Sequence, residues 1–309
     1  MAPGEFEMIR RITAELDQTA TTILGPGDDA AVLRPDGDAV VTTDMLVENV
    51  HFRRSWSPPF ELGRKTIAVN VSDVEAMGAV PISVVVALAL PDSLDETWLT
   101  KFSAGVRDEC SRAGVSLVGG DLSRSEHITV CVTAVGEMRG LDPVTRSGAR
   151  PGDTLAVCGR LGWSAAGLAA LQRGFGSPRE VVAEHQCPTV PYGQGRRAAD
   201  HGATAMMDVS DGLLADLGHI AAASGVAINV RTDGFEITDA VARVSAATGR
   251  SPWSFVLAGG EDHALVATFP ADLPLPKGWF DVGSVGVGEG LTVDGEAWEG
   301  SAGWDHFPV

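Results

Sequence analysis

The chain has 309 residues, enough for two domains of ordinary size, and its 44% hydrophobic content excludes disorder as the default state. Acidic residues number 41 against 23 basic ones, and the resulting net charge of −18 disfavours nucleic acid and anionic membranes as partners. The four cysteines form no C-x-x-C pair, and neither a signal peptide nor a membrane-length apolar stretch is evident, so we expect a reduced, cytoplasmic protein.

The first half of the chain alternates predicted strands with predicted helices, which is typical of an α/β domain. The expected strands are Ala39–Thr43, Ser83–Leu90, Ser116–Val118 and Ile128–Glu137, and the expected helices are Leu62–Met77 and Trp98–Ala113. Gly78 and Gly114 are expected to end the two helices. The polar, Pro/Gly-bearing segment 139–153 predicts a boundary between domains 1–140 and 141–309.

The second half repeats the alternation and predicts a second α/β domain. Its expected strands are Thr154–Cys158, Thr204–Met207, Val226–Val230, Val256–Ala258 and Ala264–Phe269, and its expected helices are Trp163–Gln172 and Gly212–Ala223. The glycine-rich turn Gly159–Gly167 follows a strand and opens a helix, a geometry that can bind an anion. P-loop and protein-kinase signatures are absent from the sequence.

Acidic residues recur where a predicted strand or helix meets a turn of small residues. The segments that share this feature are Gly25–Ala31, Thr42–Asp44, Asn70–Asp73, Gly119–Asp121, Asp208–Asp211 and Gly259–Asp262. Carboxylate and hydroxyl oxygens suit Mg²⁺ or Ca²⁺ and suit zinc poorly. Two carboxylates ~4 Å apart repel by about 4 kcal/mol at an effective dielectric near 20, so a converging set would need cations and could then accept polyphosphate.

Each of these segments, taken alone, is more often a turn or a helix cap than a metal site. Asp211 could favour a helix N-terminus electrostatically, and Asp73 could be a solvated helix residue, although Asn70 and Asp73 share one helix face. It is therefore the ordered set of segments that indicates a function, because no single member is specific.

This ordered set resembles the thiamine-monophosphate kinase family, in the superfamily of aminoimidazole-ribonucleotide synthetase. The segments that carry the resemblance are Gly4–Phe6, Gly27–Ala31, Thr43–Asp44, His51–Phe52, Ala68–Asp73, Ala76–Ala79, Gly119–Asp121, Thr145–Ala149, Pro151–Asp153, Asp208–Leu213, Ala258–Asp262 and Gly303–Phe307. The resemblance implies a two-domain α/β (α+β) architecture, with an N-terminal sheet that pairs across a homodimer and a C-terminal α/β domain that closes the active-site cleft. It implies transfer of phosphate from ATP to thiamine monophosphate.

The resemblance also implies a role for particular residues. The metal ligands for several Mg²⁺ ions would be Asp28, Thr42, Thr43, Asp44, Asp73, Asp121, Asp208 and Asp211. The catalytic aspartates would be Asp44, Asp73, Asp121 and Asp208. ATP would be bound by Gly120, Asp121, Arg146 and Ser210, and thiamine monophosphate by His51, Glu261 and Trp304.

Four of these side chains also have a structural explanation. Arg146 suits phosphate oxygens but could form a surface ion pair. Trp304 could stack on a cationic heterocycle or cover the edge of the core, and Glu261 could pair with the cationic part of thiamine or cap a helix. His51 could bind the acceptor phosphate, although a lone histidine beside Phe52 is more often structural.

One segment departs from the family pattern. Family members carry a segment of the form H-L-R-P-x-P-R, whereas residues 185–192 read His-Gln-Cys-Pro-Thr-Val-Pro-Tyr and lack both arginines. Arg196 or Arg197 could take their place.

The acceptor predicts the mechanism, because a phosphate monoester is largely dianionic at neutral pH and needs no general base. We expect direct in-line transfer with no phosphoenzyme. Two other interpretations remain open: another ATP-dependent enzyme of the same superfamily, such as a selenophosphate-synthetase-like enzyme, or a non-catalytic cation-binding protein. The first would need other substrates, and the second would release no ADP.

Overall fold

The computed structural model describes residues 16–304, so the segment Gly4–Phe6 and the residues after Trp304 lie outside the described residues. The described chain divides into two compact units. The first contains residues 16–74 and 79–140, and the second contains residues 75–78 and 141–304. Both units combine helices and strands, which confirms the predicted α/β class.

The first unit is built on a four-stranded sheet and a two-stranded sheet. Its elements are β1 (Thr22–Leu24), β2 (Val32–Leu33), β3 (Ala39–Val47), α1 (Pro59–Ala76), β4 (Val80–Leu90), α2 (Glu96–Ala113), β5 (Ser116–Arg124) and β6 (Thr129–Glu137). The four-stranded sheet has the order β3-β6-β4-β5, in which only β4 and β5 run parallel. Strand β3 is therefore an edge strand, paired with β6 alone among the described residues.

The two long helices of this unit begin and end at residues with a clear local cause. Asp95 precedes α2, and its side chain accepts a hydrogen bond from the Trp98 N–H at 2.8 Å. Gly114 ends α2 in the left-handed conformation with φ 69°, as expected from the sequence. Helix α1 ends before Gly78, which has φ 73°, and its last two residues group with the second unit.

The second unit is built on a six-stranded sheet with the order β12-β9-β11-β7-β10-β8. Its strands are β7 (Thr154–Cys158), β8 (Ala205–Val209), β9 (Ala227–Val230), β10 (Ala264–Phe269), β11 (Phe280–Gly286) and β12 (Gly290–Val293). Its helices are α3 (Trp163–Gln172), α4 (Arg179–Gln186), α5 (Gln194–Asp200), α6 (Leu213–Ser224), α7 (Asp239–Thr248) and α8 (Pro252–Val256), with a 3-10 turn at Thr232–Gly234. Strand β10 lies between β7 and β8 and is buried along its whole length.

The predicted strand at Val256–Ala258 is wrong. Val256 is the last residue of α8, and the chain continues as a helical turn in which the Leu257 N–H donates to the Trp253 carbonyl at 2.8 Å. Pro252 is pre-organised for the first turn of that helix. A short buried apolar run fits a strand and a helix equally well when only its periodicity is read.

None of the helices within residues 16–304 combines the length and the apolar composition that a membrane span requires.

Candidate active site

In the first unit, two of the acidic segments are joined by hydrogen bonds between β3 and α1. Thr42 and Asp44 alternate onto one face of β3, and Asn70 and Asp73 lie one turn apart on α1. The Thr42 hydroxyl donates to Asp73 Oδ2 at 2.7 Å, and the Asp44 N–H donates to Asn70 Oδ1 at 2.9 Å. Asn70 thereby satisfies an N–H on an edge strand, and Asp73, which is half-buried, is held against β3 through Thr42.

Thr43 points the other way, as the pleat of β3 requires. Its hydroxyl donates to the Val132 carbonyl at 2.8 Å and lies 3.4 Å from Cys131 Sγ on β6. The structure therefore brings Thr42, Asp44 and Asp73 together but directs the Thr43 hydroxyl to the opposite face of the sheet.

Asp28 and Asp121 meet at a cavity of about 620 Å³ in the first unit. Asp28 belongs to the loop between β1 and β2, and Asp121 belongs to β5. Apolar side chains, among them Phe102 and Val106, line the same cavity. A Cβ atom at Gly120 would lie 2.1 Å from the Val86 carbonyl oxygen, so only glycine lets β5 approach β4 at this point.

His51 lies in a tight turn directly after β3. The Val47 N–H donates to His51 Nδ1 at 3.0 Å, and the His51 N–H donates to the Val47 carbonyl at the same distance. Because Nδ1 accepts a backbone hydrogen, the neutral ring carries its proton on Nε2. The buried Lys65 donates to the His51 carbonyl at 3.5 Å, which further holds the turn.

In the second unit, Asp208 and Asp211 lie where β8 ends. Asp208 is buried, and its Oδ2 lies 3.0 Å from Nδ1 of the buried His263. The N–H groups of Asp211 and Gly212 both donate to Asp216 Oδ2 at 3.2 Å. Burial, with the nearby Asp208 and Asp211 carboxylates, raises the pKa of Asp216 to about 7. Asp208 and Asp211 thus lie close enough to Asp216 for their negative charges to disfavour its ionised form.

Backbone hydrogen bonds hold three of the four other predicted residues of this unit, Ser210, Glu261 and Trp304, around the same loop. The Glu261 N–H donates to the Ser210 carbonyl at 2.6 Å, and the Trp304 N–H donates to the Asp211 carbonyl at 2.9 Å. Glu261 has φ 67° and His263 has φ 50°, both in the left-handed region that non-glycine residues rarely adopt. These rarely adopted φ angles turn the Glu261–His263 segment around the Asp208–Asp211 loop.

The turn Gly159–Gly167, expected to suit an anion, holds a carboxylate of the chain itself. Asp262 accepts hydrogen bonds from the N–H groups of Gly162 at 2.6 Å and Ser164 at 2.9 Å, at the start of α3. Burial raises the pKa of Asp262 to about 7, and the two N–H groups act in the opposite direction. The anion at this helix N-terminus is therefore Asp262.

Three residues form specific contacts in the structure, although the sequence analysis assigned no role to them: Asp216, Asp262 and His263. Each lies in or just after a recognised motif, and proximity to a motif was the only sequence signal available. Their partners are 4 to 100 residues away along the chain, so local spacing could not identify the contacts.

The remaining predicted residues lie on the surface of the second unit. Arg146 is exposed, and its carbonyl accepts a hydrogen bond from Ser224 Oγ at 2.9 Å. Arg196 pairs with Asp200 at 3.1 Å, and Arg197 donates to the Lys277 carbonyl at 3.4 Å. Whether Arg196 or Arg197 replaces the arginines missing from 185–192 stays a prediction.

The donors of the two acidic sets fit magnesium chemically. Within residues 16–304, no three His, Cys, Asp or Glu side chains are grouped so that they could hold a metal by themselves. Mg²⁺, however, usually takes one or two carboxylates and completes its shell with waters and substrate phosphates. Oxygen pairs such as Thr42 with Asp73, and the Asp208–Asp211 loop, are of that kind.

The chain matches the N-terminal and C-terminal domains of one protein family. It also matches several known proteins along nearly its whole length. Residues 27–138 match AIR synthase related protein, N-terminal domain, and residues 150–272 match its C-terminal domain. The thiamine-monophosphate kinase of Mycobacterium tuberculosis (strain H37Rv) is 48% identical over 98% of this chain and 92% of that protein.

Solved structures also match the chain along nearly its whole length. A structure of AaThiL complexed with AMPPCP and TMP is 37% identical, with a TM-score of 0.82 over 98% of this chain and 97% of that chain. The crystal structure of thiamine-monophosphate kinase from Stenotrophomonas maltophilia K279a is 36% identical, with a TM-score of 0.82 over 96% of this chain and 99% of that chain.

Proposed function

Because the chain belongs to the thiamine-monophosphate kinase family, we propose that it transfers the γ-phosphate of ATP to thiamine monophosphate, giving thiamine diphosphate and ADP. The observation that carries this conclusion is the 48% identity to such a kinase across 98% of the chain. The complex of a 37% identical relative with AMPPCP and TMP supports both substrates.

The acceptor determines what the protein must supply. A phosphate monoester has its second pKa near 6, so most of it is dianionic at neutral pH and already nucleophilic. The difficulty is the approach of two polyanions to a protein of net charge −18. Mg²⁺ held by the aspartates of the acidic segments would offset the negative charge of the phosphates. We propose direct in-line transfer, tested by labelled ATP, in which radioactive protein at a quenched time point contradicts the proposal.

We propose that Thr42, Asp44, Asp73, Asp28 and Asp121 of the first unit and Asp208 and Asp211 of the second are the magnesium ligands. Thr43, also expected from the resemblance, is not proposed as a side-chain ligand, because its hydroxyl donates to the Val132 carbonyl on the opposite face of the sheet. The hydrogen bonds from β3 to α1 support this, because they hold two carboxylate-bearing segments together without using a basic residue. A site made only of oxygen donors favours a hard divalent ion.

We propose that the nucleotide occupies the 620 Å³ cavity of the first unit, with its phosphates at Gly120 and Asp121. The apolar part of the lining suits a purine base, and the aspartates of the lining suit phosphates that arrive with cations. Arg146 and Ser210 are proposed as further ATP contacts. His51, Glu261 and Trp304 are proposed to bind thiamine monophosphate, for which His51 would donate Nε2–H to a phosphate oxygen.

We also propose that the protein forms a homodimer and is located in the cytoplasm. Val41 and Met45 on β3 are 64% and 50% exposed, and they lie on the sheet face opposite the one that Thr42 presents to α1. Large exposed apolar side chains on one sheet face are typical of a protein interface. All four cysteines are free, and three are buried, which suits a reducing compartment.

The proposal is tested by measuring ADP release from ATP on addition of thiamine monophosphate, with unphosphorylated thiamine as the control acceptor. We expect release with the monophosphate alone. Asp44→Ala should abolish turnover and leave the fold intact, because the contact to Asn70 uses the backbone N–H of Asp44. No ADP in any mixture would favour a cation-binding protein, and normal turnover by Asp44→Ala would contradict the metal assignment.

A further inference from the structure

His263 contacts Asp208 through one defined atom. Its Nδ1 lies 3.0 Å from Asp208 Oδ2, and both residues are buried, at 5% and 6% exposure. An ionised carboxylate can only accept, so the imidazole carries a proton on Nδ1 and donates it. Burying a histidine and an aspartate costs free energy unless their polar atoms are paired, and this bond supplies that pairing.

The backbone of His263 is also fixed by a hydrogen bond. Its N–H donates to the Val209 carbonyl at 2.8 Å, at the point where β10 begins to pair with β8. Its φ of 50° is left-handed, a conformation that the neighbouring strand pairing and the segment around Glu261 maintain. The imidazole is therefore aimed at Asp208 by the sheet itself.

We propose that His263 is a positioning residue, which fixes the rotation of the Asp208 carboxylate so that Oδ1 is presented to magnesium. This inference rests on the proposed function. The terminal torsion of an aspartate is broad, so each hydrogen bond that the carboxylate accepts narrows its range of orientations. The hydrogen bond to Oδ2 has this effect, and loss of such a partner commonly lowers metal affinity 10–100-fold.

Two amide substitutions separate the donor from the rest of the side chain. In His263→Asn, the amide nitrogen takes the place of Nδ1, and asparagine tolerates a positive φ well. In His263→Gln, the amide is one bond further out, where Nε2 was, and cannot reach Asp208 in the same way. Both variants keep a polar amide at the site, so a difference between them reports the position of the donor.

The readout is binding of Mg²⁺ to the nucleotide-free protein, measured by calorimetry with MgCl₂, together with the Mg²⁺ concentration that gives half-maximal ADP release. We expect His263→Asn to stay within about 3-fold of the unmodified protein, and His263→Gln and His263→Ala to weaken Mg²⁺ binding about 10–100-fold. The KM for thiamine monophosphate at saturating Mg²⁺ should change little.

His201→Ala is the matched control, because His201 Nδ1 also has a single polar partner, the Arg197 carbonyl at 2.8 Å, but is exposed. It should leave Mg²⁺ binding unchanged. Wild-type affinity in His263→Gln, or equal losses in the Asn and Gln variants, would overturn the positioning role. If the unmodified protein released no ADP with thiamine monophosphate, the proposed function would fail instead, so the two failures are distinct.

Discussion

Three buried carboxylates of the second unit illustrate how a side chain's partner determines its use. Asp208 contacts an imidazole through one oxygen, whereas Asp216 and Asp262 each accept two backbone N–H groups. A carboxylate that accepts two backbone N–H groups shapes a loop, whereas Asp208 contacts a side chain through its Oδ2 atom. We therefore assign loop formation to Asp216 and Asp262 and ligand binding to Asp208.

Asp262→Ala should destabilise the second unit. The substitution would leave the N–H groups of Gly162 and Ser164 buried without their acceptor, at a cost of about 1–3 kcal/mol each. Urea unfolding should show a lower midpoint with an unchanged slope. Asp262→Asn keeps one acceptor oxygen, so its midpoint should lie between those of the wild type and Asp262→Ala. A wild-type midpoint for Asp262→Ala would contradict this role.

At the scale of elements, α1 and α2 approach each other at two reciprocal glycines. A Cβ atom at Gly63 would lie 2.1 Å from the Phe102 carbonyl oxygen, and one at Gly105 would lie 1.9 Å from the Phe60 carbonyl oxygen. Backbone atoms cannot yield as a flexible side chain can, so the helices would have to move apart.

Gly63→Ala is expected to destabilise the protein by about 1–3 kcal/mol through overpacking. Gly218→Ala is the matched control, because Gly218 also lies within a helix but a Cβ atom there would meet nothing within 4 Å. That control should be neutral or stabilising by about 0.5–1 kcal/mol. The difference in denaturation midpoint between the two variants measures the effect, and equal midpoints would show that the helices can separate freely.

The start of α5 depends on a buried acid. Glu75 accepts the N–H of Gly193 at 2.7 Å and the N–H of Gly195 at 2.9 Å, and burial raises its pKa from 4.5 to about 7. The folded chain therefore binds this proton more tightly than the unfolded chain. The resulting stability is present below about pH 4.5 and is lost as the pH rises through about 7, roughly 3 kcal/mol at 1.36 kcal/mol per unit.

Glu75→Gln resembles the protonated acid and should flatten the dependence of unfolding free energy on pH between about 5 and 8. Denaturant unfolding at a series of pH values checks this. Below about pH 4, residue 75 is largely uncharged in the folded and unfolded states of both proteins, so any remaining difference there reports mainly the altered hydrogen bonds. Identical slopes for the two proteins would mean that Glu75 does not titrate in this window.

At the scale of the whole molecule, the exposed apolar side chains of β3 predict the oligomeric state. Val41→Asp with Met45→Asp should convert the proposed dimer to a monomer, because four carboxylates would meet across a two-fold interface. Light scattering after size exclusion measures the mass. Val287→Asp, at an 88% exposed residue of the second unit, should remain dimeric. A monomeric wild-type protein would contradict the proposed assembly.

Much of the fold was predictable because its elements are long or strongly apolar. The bounds of β7, α3 and β10 agree with the sequence prediction at both ends. Helices α4, α5 and α7 and strands β11 and β12 were not predicted. These elements are short and carry many polar or small residues, so their periodicity is weak, and packing against the six-stranded sheet and its helices stabilises them.

The sequence alone determined the fold class, the order of the acidic motifs and the family that they indicate, because these are properties of residue type and order along the chain. The tertiary structure alone decided which atoms meet: Thr42 with Asp73, His263 with Asp208, and Asp262 with the start of α3. These bonds join residues that are 31 to 100 positions apart along the chain. Strand order and helix packing set such distances, and no local pattern in the chain encodes them.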